Sequence, residues 1–181
     1  MITLDDIIDF IHHPLAYDQK LVWMIHGDEA LIVPLAHCGQ LYTCGNASIK
    51  VEGLERYSKD VWDLCMKYAN QHNHYGPVTC HGFIAKQDSP SFGLHKDPED
   101  VIIYCVSGTK TLVIGDRTVT LSSGEDVFIP AYTPHRASNE HAAFTLSFGL
   151  ERFLKDKQYN ELDDISQDNR NMQSELSPLL Y

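Results

Sequence analysis

The sequence predicts a mainly β protein: short antiparallel strands wrapped as a barrel or sandwich, with helices flanking it on the N-terminal side. The first observation behind this is a series of short β-branched or apolar runs from residue 78 onward, at 78–85, 91–97, 101–106, 110–114, 117–121, 126–130 and 142–149. The second is the punctuation between them, at Asp88-Ser89-Pro90, Ser107-Gly108, Gly115-Asp116 and Ser123-Gly124. Strands this short, separated by turn residues, are the signature of antiparallel all-β architectures. Gly115-Asp116 fits a two-residue hairpin.

The first 77 residues read differently. Leu4, Ile7, Ile8 and Ile11 follow the i, i+3, i+4, i+7 spacing of an amphipathic helix, and Thr3 with Asp6 forms a capping-box pattern. Tyr57, Val61, Leu64, Cys65 and Tyr68 make a second stripe over 57–72, with Ser58 as its N-cap. Between the helices, the runs Leu21 to Ile25 and Ala30 to Leu35 flank Gly27-Asp28-Glu29 and predict a β-hairpin. Shorter strands are expected at Leu41 to Thr43 and Ser48 to Val51. After residue 151 the chain turns polar and charged, with few apolar anchors, the pattern of a surface helix or a partly disordered tail. The expectation is one domain over 1–181: an N-terminal helix and hairpin region (1–77), a β core (78–150) and a polar tail (151–181).

Composition narrows the function. With 181 residues, 43% hydrophobic and 22% charged, the chain has the balance of an ordinary globular domain. Its formal charge of −11 makes nucleic acid a less favoured partner, since phosphate binding needs a basic surface. No apolar run is long enough to span a bilayer, and the acidic start lacks the regions of a signal peptide, so a cytoplasmic location with no membrane partner is expected. The five cysteines are odd in number and scattered, which predicts reduced thiols. Cys38 and Cys44, with His37 beside them, are poorly spaced for a zinc knuckle.

The chemistry concentrates in Ser91-Phe92-Gly93-Leu94-His95-Lys96-Asp97. On a strand, residues i and i+2 share a face, so His95 and Asp97 would both point inward. An imidazole beside a carboxylate is a ligand pair for a divalent transition metal, and a third ligand would complete a facial triad that leaves coordination positions open. His135 is the best third ligand. It follows Gly124, Pro130 and Pro134, which shape the turn into and the exit from a strand.

These residues carry a resemblance. Gly124-x5-Pro130-x4-His135-x3-Asn139 resembles the second motif of the cupin superfamily, except that Tyr132 stands where that motif has a glycine. The first motif is altered: its H-x-H is His95-x-Asp97, its later Glu is Val101 or Ile102, and its closing glycine is Gly108. The alteration resembles the Jumonji-C branch of the Fe(II)/2-oxoglutarate oxygenases, which includes asparaginyl hydroxylases and ribosomal oxygenases. The likeness covers roughly residues 78–150 and does not reach the first 77. It implies a double-stranded β-helix (a cupin or jelly-roll barrel) with flanking N-terminal helices, Fe(II) on His95, Asp97 and His135, and 2-oxoglutarate as co-substrate.

The resemblance also implies that Lys110, just after the motif-closing glycine, takes the distal carboxylate of 2-oxoglutarate. A charge-assisted hydrogen bond there would supply strength and orientation. In that case Lys110 faces inward between outward Thr109 and Thr111. Thr145 and Ser147, on one face of the last strand, are candidate hydroxyls for the same carboxylate. Tyr104 is a further candidate donor, and Asn139 a candidate for orienting His135 or a loop. The implied activity is an oxygenase acting on a small molecule or a protein. Two alternatives stay open: a metallo-enzyme on the same barrel that does not use 2-oxoglutarate, and a non-enzymatic ligand-binding module. The hairpin, the helix at 57–72 and the tail are candidates for covering the barrel mouth or for a homodimer interface.

Overall fold

In the computed structural model, which describes residues 2–26, 29–41 and 47–152, the elements follow from their local sequence. Helix α1 (Leu4–His12) starts at the predicted capping box: the Thr3 hydroxyl accepts from the Asp6 amide, and the Asp6 carboxylate accepts from Thr3 N at 2.7 Å. A short helix α2 (Pro14–Asp18) follows, with proline at its first position, where a missing N–H costs nothing. Strands β1 (Val22–His26) and β2 (Glu29–Ile32) form the predicted antiparallel hairpin, with Trp23 opposite Ile32. Leu35–Gln40 is a 3-10 helix, and it takes up Leu35, expected in the second hairpin strand. Leu41 is a turn residue, not the start of a strand, and positions 42–43 lie outside the described residues.

Strand β3 (Ser48–Val51) is as expected. A single-turn helix α3 (Leu54–Tyr57) then precedes α4 (Lys59–Gln71), which Ser58 caps. Tyr57 therefore lies ahead of the second helix instead of on its stripe. The rest is β: β4 (Val78–Ala85), β5 (Asp100–Ile114), β6 (Arg117–Ser122), β7 (Asp126–Ile129), β8 (His135–Ser138) and β9 (Ala143–Leu150).

The strands run in the order β2-β1-β3-β4-β9-β5-β6, with β7 and β8 also on β5 and every pairing antiparallel. Strand β5 is the hinge of the barrel. Its first half pairs β9 and β7 in a large sheet, and its second half pairs β6 and β8 in a smaller one. The sequence signals at 101–106 and 110–114 are thus one long strand. Ser107-Gly108 is part of an irregularity within it, where the register jumps from Cys105 to Ser107 and leaves Val106 without a partner. Gly108 sits there at φ +80°, and a Cβ on it would meet the Ala142 carbonyl oxygen at 2.1 Å. A bulge residue in the left-handed region carries the same sequence signal as a turn.

Two other strand expectations are corrected. Residues 91–97 form a loop whose only ladder contact among the described residues is an isolated bridge from His95 to His135; Pro90 and Pro98 bracket it and limit backbone pairing. Conversely, β8 was not anticipated, because its four residues sit between Pro134 and the loop at Asn139.

The large sheet has two unlike faces. On the outer face Val22, Ile49, Val51, Cys80, Ile102, Tyr104, Phe144, Leu146, Phe148 and Leu150 are buried against Ile7, Phe10 and Ile11 of α1 and Val61, Cys65 and Tyr68 of α4. Tyr68 also donates to Asp126 Oδ2 at 2.9 Å, which ties α4 to β7. Both helices back the sheet, so α4 is not a cover for the barrel mouth. On the inner face Val101, Cys105, Leu112, Ile114, Leu121 and Ile129 pack between the two sheets. No described helix is long and apolar enough to cross a membrane. Apart from its first residues, the tail from 151 onward lies outside the described residues.

Candidate metal centre

The bridge that joins the 91–97 loop to β8 assembles the site. His95 N donates to His135 O at 3.0 Å and His135 N to His95 O at 2.8 Å, so the two histidines face each other as an antiparallel pair. Their rings lie 4.3 Å apart. Asp97 joins them: its Oδ2 is 3.2 Å from His135 Nε2 and 3.9 Å from His95 Nε2. The three ligand-type atoms fall within 4.8 Å of one another. His95 and Asp97 share a side as expected, although a loop and not a strand places them there.

Both imidazoles are set for coordination by the same device. His95 Nδ1 lies 2.8 Å from Gly93 O, and His135 Nδ1 lies 3.0 Å from Thr133 O. A carbonyl only accepts, so each Nδ1 carries the proton and each Nε2 keeps a lone pair directed at the others. With two neutral imidazole nitrogens and one carboxylate oxygen, the donor set fits a divalent first-row metal such as Fe(II). His135 is buried, whereas His95 and Asp97 are partly exposed, which leaves an open side. Burial opposes the imidazolium of His135, but in that charged form Nε2–H donates to Asp97 and Nδ1–H to Thr133 O beside the Asp97 charge, which raises the pKa, so a metal would take the place of the Nε2 proton.

Behind His135 the chain makes an unusual turn. Tyr132 has φ +60°, and its amide donates to Asp97 O at 2.7 Å. This is the position where the cupin motif has a glycine. The left-handed conformation explains that preference, and here a tyrosine bears it.

The bulge in β5 aims Lys110. Before it, odd residues of β5 (Val101, Cys105) face the interior; after it, even ones (Leu112, Ile114) do. Lys110 therefore turns inward and is 5% exposed, while Thr109 and Thr111 are more open. Without the extra residue it would share the outer face of Tyr104. Its ammonium donates to Asn139 Oδ1, and the Asn139 amide in turn donates to Ser89 O at 2.9 Å and Pro90 O at 3.1 Å and lies 3.2 Å from Ser48 Oγ. Asn139 thus positions Lys110 and the 89–90 loop, not His135. Burial lowers the Lys110 pKa to about 8, with the nearby Cys105 opposing that shift.

The remaining candidates divide by face. Thr145 is opposite Cys105 and Ser147 opposite Ile103, both on the inner face. Tyr104 is opposite Leu146 and buried in the outer core. It lies on the wrong side of the sheet to touch a ligand of Lys110, and this expectation is corrected. Residues not anticipated are Trp23, Lys50 and His81. Cross-strand register puts Trp23 opposite Lys50, Lys50 opposite Phe83, Phe83 opposite Thr145, and His81 opposite Ser147, all on the inner face. In the sequence, Lys50 reads as the polar half of an alternating strand, so no local signal marks it.

A family-model match and one solved structure agree with this architecture. Residues 81–148 match the model of the cupin domain. No curated protein matches the chain. Among solved structures, the chain is similar to YcfD, a ribosomal oxygenase from Escherichia coli solved with cobalt and succinic acid: 15% identity, TM-score 0.68, covering 97% of this chain and 49% of that one. It is also similar to a Streptococcus pyogenes protein of unknown function (20% identity, TM-score 0.41, covering 43% of this chain and 68% of that one). A third is a cupin superfamily protein from Desulfitobacterium hafniense (16% identity, TM-score 0.39, covering 41% and 68%). The strand order and the matched segment together make this chain a cupin-fold protein.

Proposed function

We propose that this chain is an Fe(II)- and 2-oxoglutarate-dependent oxygenase of the Jumonji-C type that hydroxylates a small molecule or a protein side chain. The observation that carries the reading is a His-Asp-His cluster on the same barrel interior as a buried lysine whose described hydrogen-bond partner is only a neutral amide. A buried ammonium without an ionised partner is costly, and a carboxylate delivered by a ligand would relieve that cost. The fold-level likeness to an oxygenase solved with a divalent metal and succinic acid is consistent with such a ligand.

His95, Asp97 and His135 would hold the iron, which when bound supplies the oxygen activation that turns 2-oxoglutarate, O₂ and a C–H bond into succinate, CO₂ and C–OH. The protein's own residues do the rest. The Gly93 and Thr133 carbonyls fix the tautomers of His95 and His135. Lys110 binds and orients the distal carboxylate, and Asn139 holds Lys110 in place. Thr145 offers a buried hydroxyl to the same carboxylate, with Ser147 further along the face. The apolar lining of Val101, Leu112 and Ile129 excludes water from the co-substrate.

The test is anaerobic binding followed by turnover. Iron-loaded protein should show a visible charge-transfer band on adding 2-oxoglutarate, then release succinate when O₂ is admitted. Stoichiometric iron with no response to 2-oxoglutarate would overturn the co-substrate and leave a different metallo-enzyme. Failure to retain any transition metal would overturn the oxygenase altogether.

A further inference from the structure

The inner face holds a second polar cluster that the metal and the co-substrate do not use. Lys50 is 4% exposed, bonds Glu52 Oε1 at 2.6 Å and sits 5.9 Å above the Trp23 ring. An ammonium has three donors, so the contact with Glu52 leaves donors to spare. Trp23 Nε1–H is buried with no hydrogen-bond partner among the described residues, and buried donors are rarely left so. Burial, and then the charge of Lys50, hold the His81 pKa down at about 3, so its imidazole is neutral and can offer an N–H.

This cluster connects to the metal centre through aromatic rings. Phe83, the cross-strand neighbour of Lys50, meets Phe92 edge-on at 6.4 Å, and Phe92 meets His95 at 6.2 Å. Trp23, His81, Phe83, Phe92 and Ser147 all keep partial solvent access. These side chains between Lys50 and His95 are therefore within reach of a ligand.

Resting on the oxygenase reading, we propose that Trp23, Lys50 and His81 form the primary-substrate subsite, and that it takes a carboxylate carried on a flat apolar body. The carboxylate accepts from Trp23 Nε1–H, Lys50 and His81. The body lies along Phe83 and Phe92, so its far end is presented at His95. Aromatic walls with few convergent donors are the usual makeup of a small-ligand site.

The test uses the full chain, metal-free, with Trp62→Phe. Trp62 is half exposed on α4, and its removal leaves Trp23 as the sole tryptophan. Benzoate is titrated against Trp23 emission, with benzamide as control. The expected result is a saturable change with benzoate that benzamide does not reproduce, weakened at least tenfold by Lys50→Gln or His81→Phe and unchanged by Lys110→Gln. The same proteins loaded anaerobically with Fe(II) and titrated with 2-oxoglutarate should show the reverse dependence in the visible charge-transfer band. If Lys50→Gln unfolds, calorimetry of benzoate binding to Trp23→Phe replaces it, with the same tenfold loss expected. No saturable benzoate response, or one lost equally in Lys110→Gln, overturns the subsite. A benzoate response with no 2-oxoglutarate binding would instead count against the co-substrate reading and leave this site standing.

Discussion

The two faces of the large sheet are built from the same strands, one residue apart, and do opposite work. The outer face carries Phe144, Leu146, Phe148 and Leu150, each at most 2% exposed, under two amphipathic helices. The inner face carries Ala143 and Thr145, which are buried, and Ser147 and Gly149, which are partly open, with two buried lysines and the metal-type cluster in the same interior. Stability resides on one side and chemistry on the other, so the inner face tolerates polar groups that would be ruinous in the outer core. A one-residue slip would exchange the two sets, and for that reason the bulge at Val106 matters.

The largest expected effect is on the inner face. Asp97→Ala should abolish turnover and drop iron from near one equivalent to under about a tenth, while the melting temperature moves by less than about 3 °C. A large loss of stability would show that the faces are not separable. Phe148→Ala is the counterpart on the outer face. It should cost about 3–5 kcal/mol by denaturant titration and leave iron binding of the folded fraction intact.

Lys110→Ala should weaken 2-oxoglutarate binding about 10- to 100-fold, the worth of a charge-assisted hydrogen bond, measured by the anaerobic spectral titration. The pH dependence sharpens this. Burial lowers the Lys110 pKa from 10.5 to about 8, and a carboxylate needs the protonated form. Affinity should therefore be level below about pH 8 and fall roughly tenfold per unit above it. For stability the sign is opposite: the unfolded chain keeps the proton that the folded one releases between about 8 and 10.5, so this group adds stability as pH rises through that window. The smallest effect belongs to Tyr104. If it faces the outer core, Tyr104→Phe leaves 2-oxoglutarate affinity unchanged; a clear weakening would break the assignment of faces.

Much of the fold was legible because it is local. The capping box at Thr3, the N-cap at Ser58, the hairpin at 22–32 and the strands at 78–85 and 143–150 follow from periodicity and cap chemistry over a few residues. The misreadings occurred where local signals are ambiguous. Ser107-Gly108 reads as a turn because a bulge and a turn make the same demand on φ. Residues 91–97 read as a strand because apolar content says nothing about whether a partner is in reach. His95, Asp97 and His135 could be singled out because their spacing matched a known pattern. Trp23, Lys50 and His81 could not, since each is ordinary in its own segment.

The sequence by itself determined which residue types are available: a helical N-terminal region, a β core, and a His-x-Asp and a distant His able to share a metal. It also determined the cap positions and the Gly115-Asp116 turn, which depend on neighbours in the chain. Only the tertiary structure decided which face each side chain occupies. One unpaired residue in β5 inverts the alternation and sends Lys110 inward while Tyr104 goes outward. Cross-strand register brings Lys50 beside Trp23. Such placements depend on pairing between segments far apart in the chain, and side-chain alternation within a single strand does not encode them.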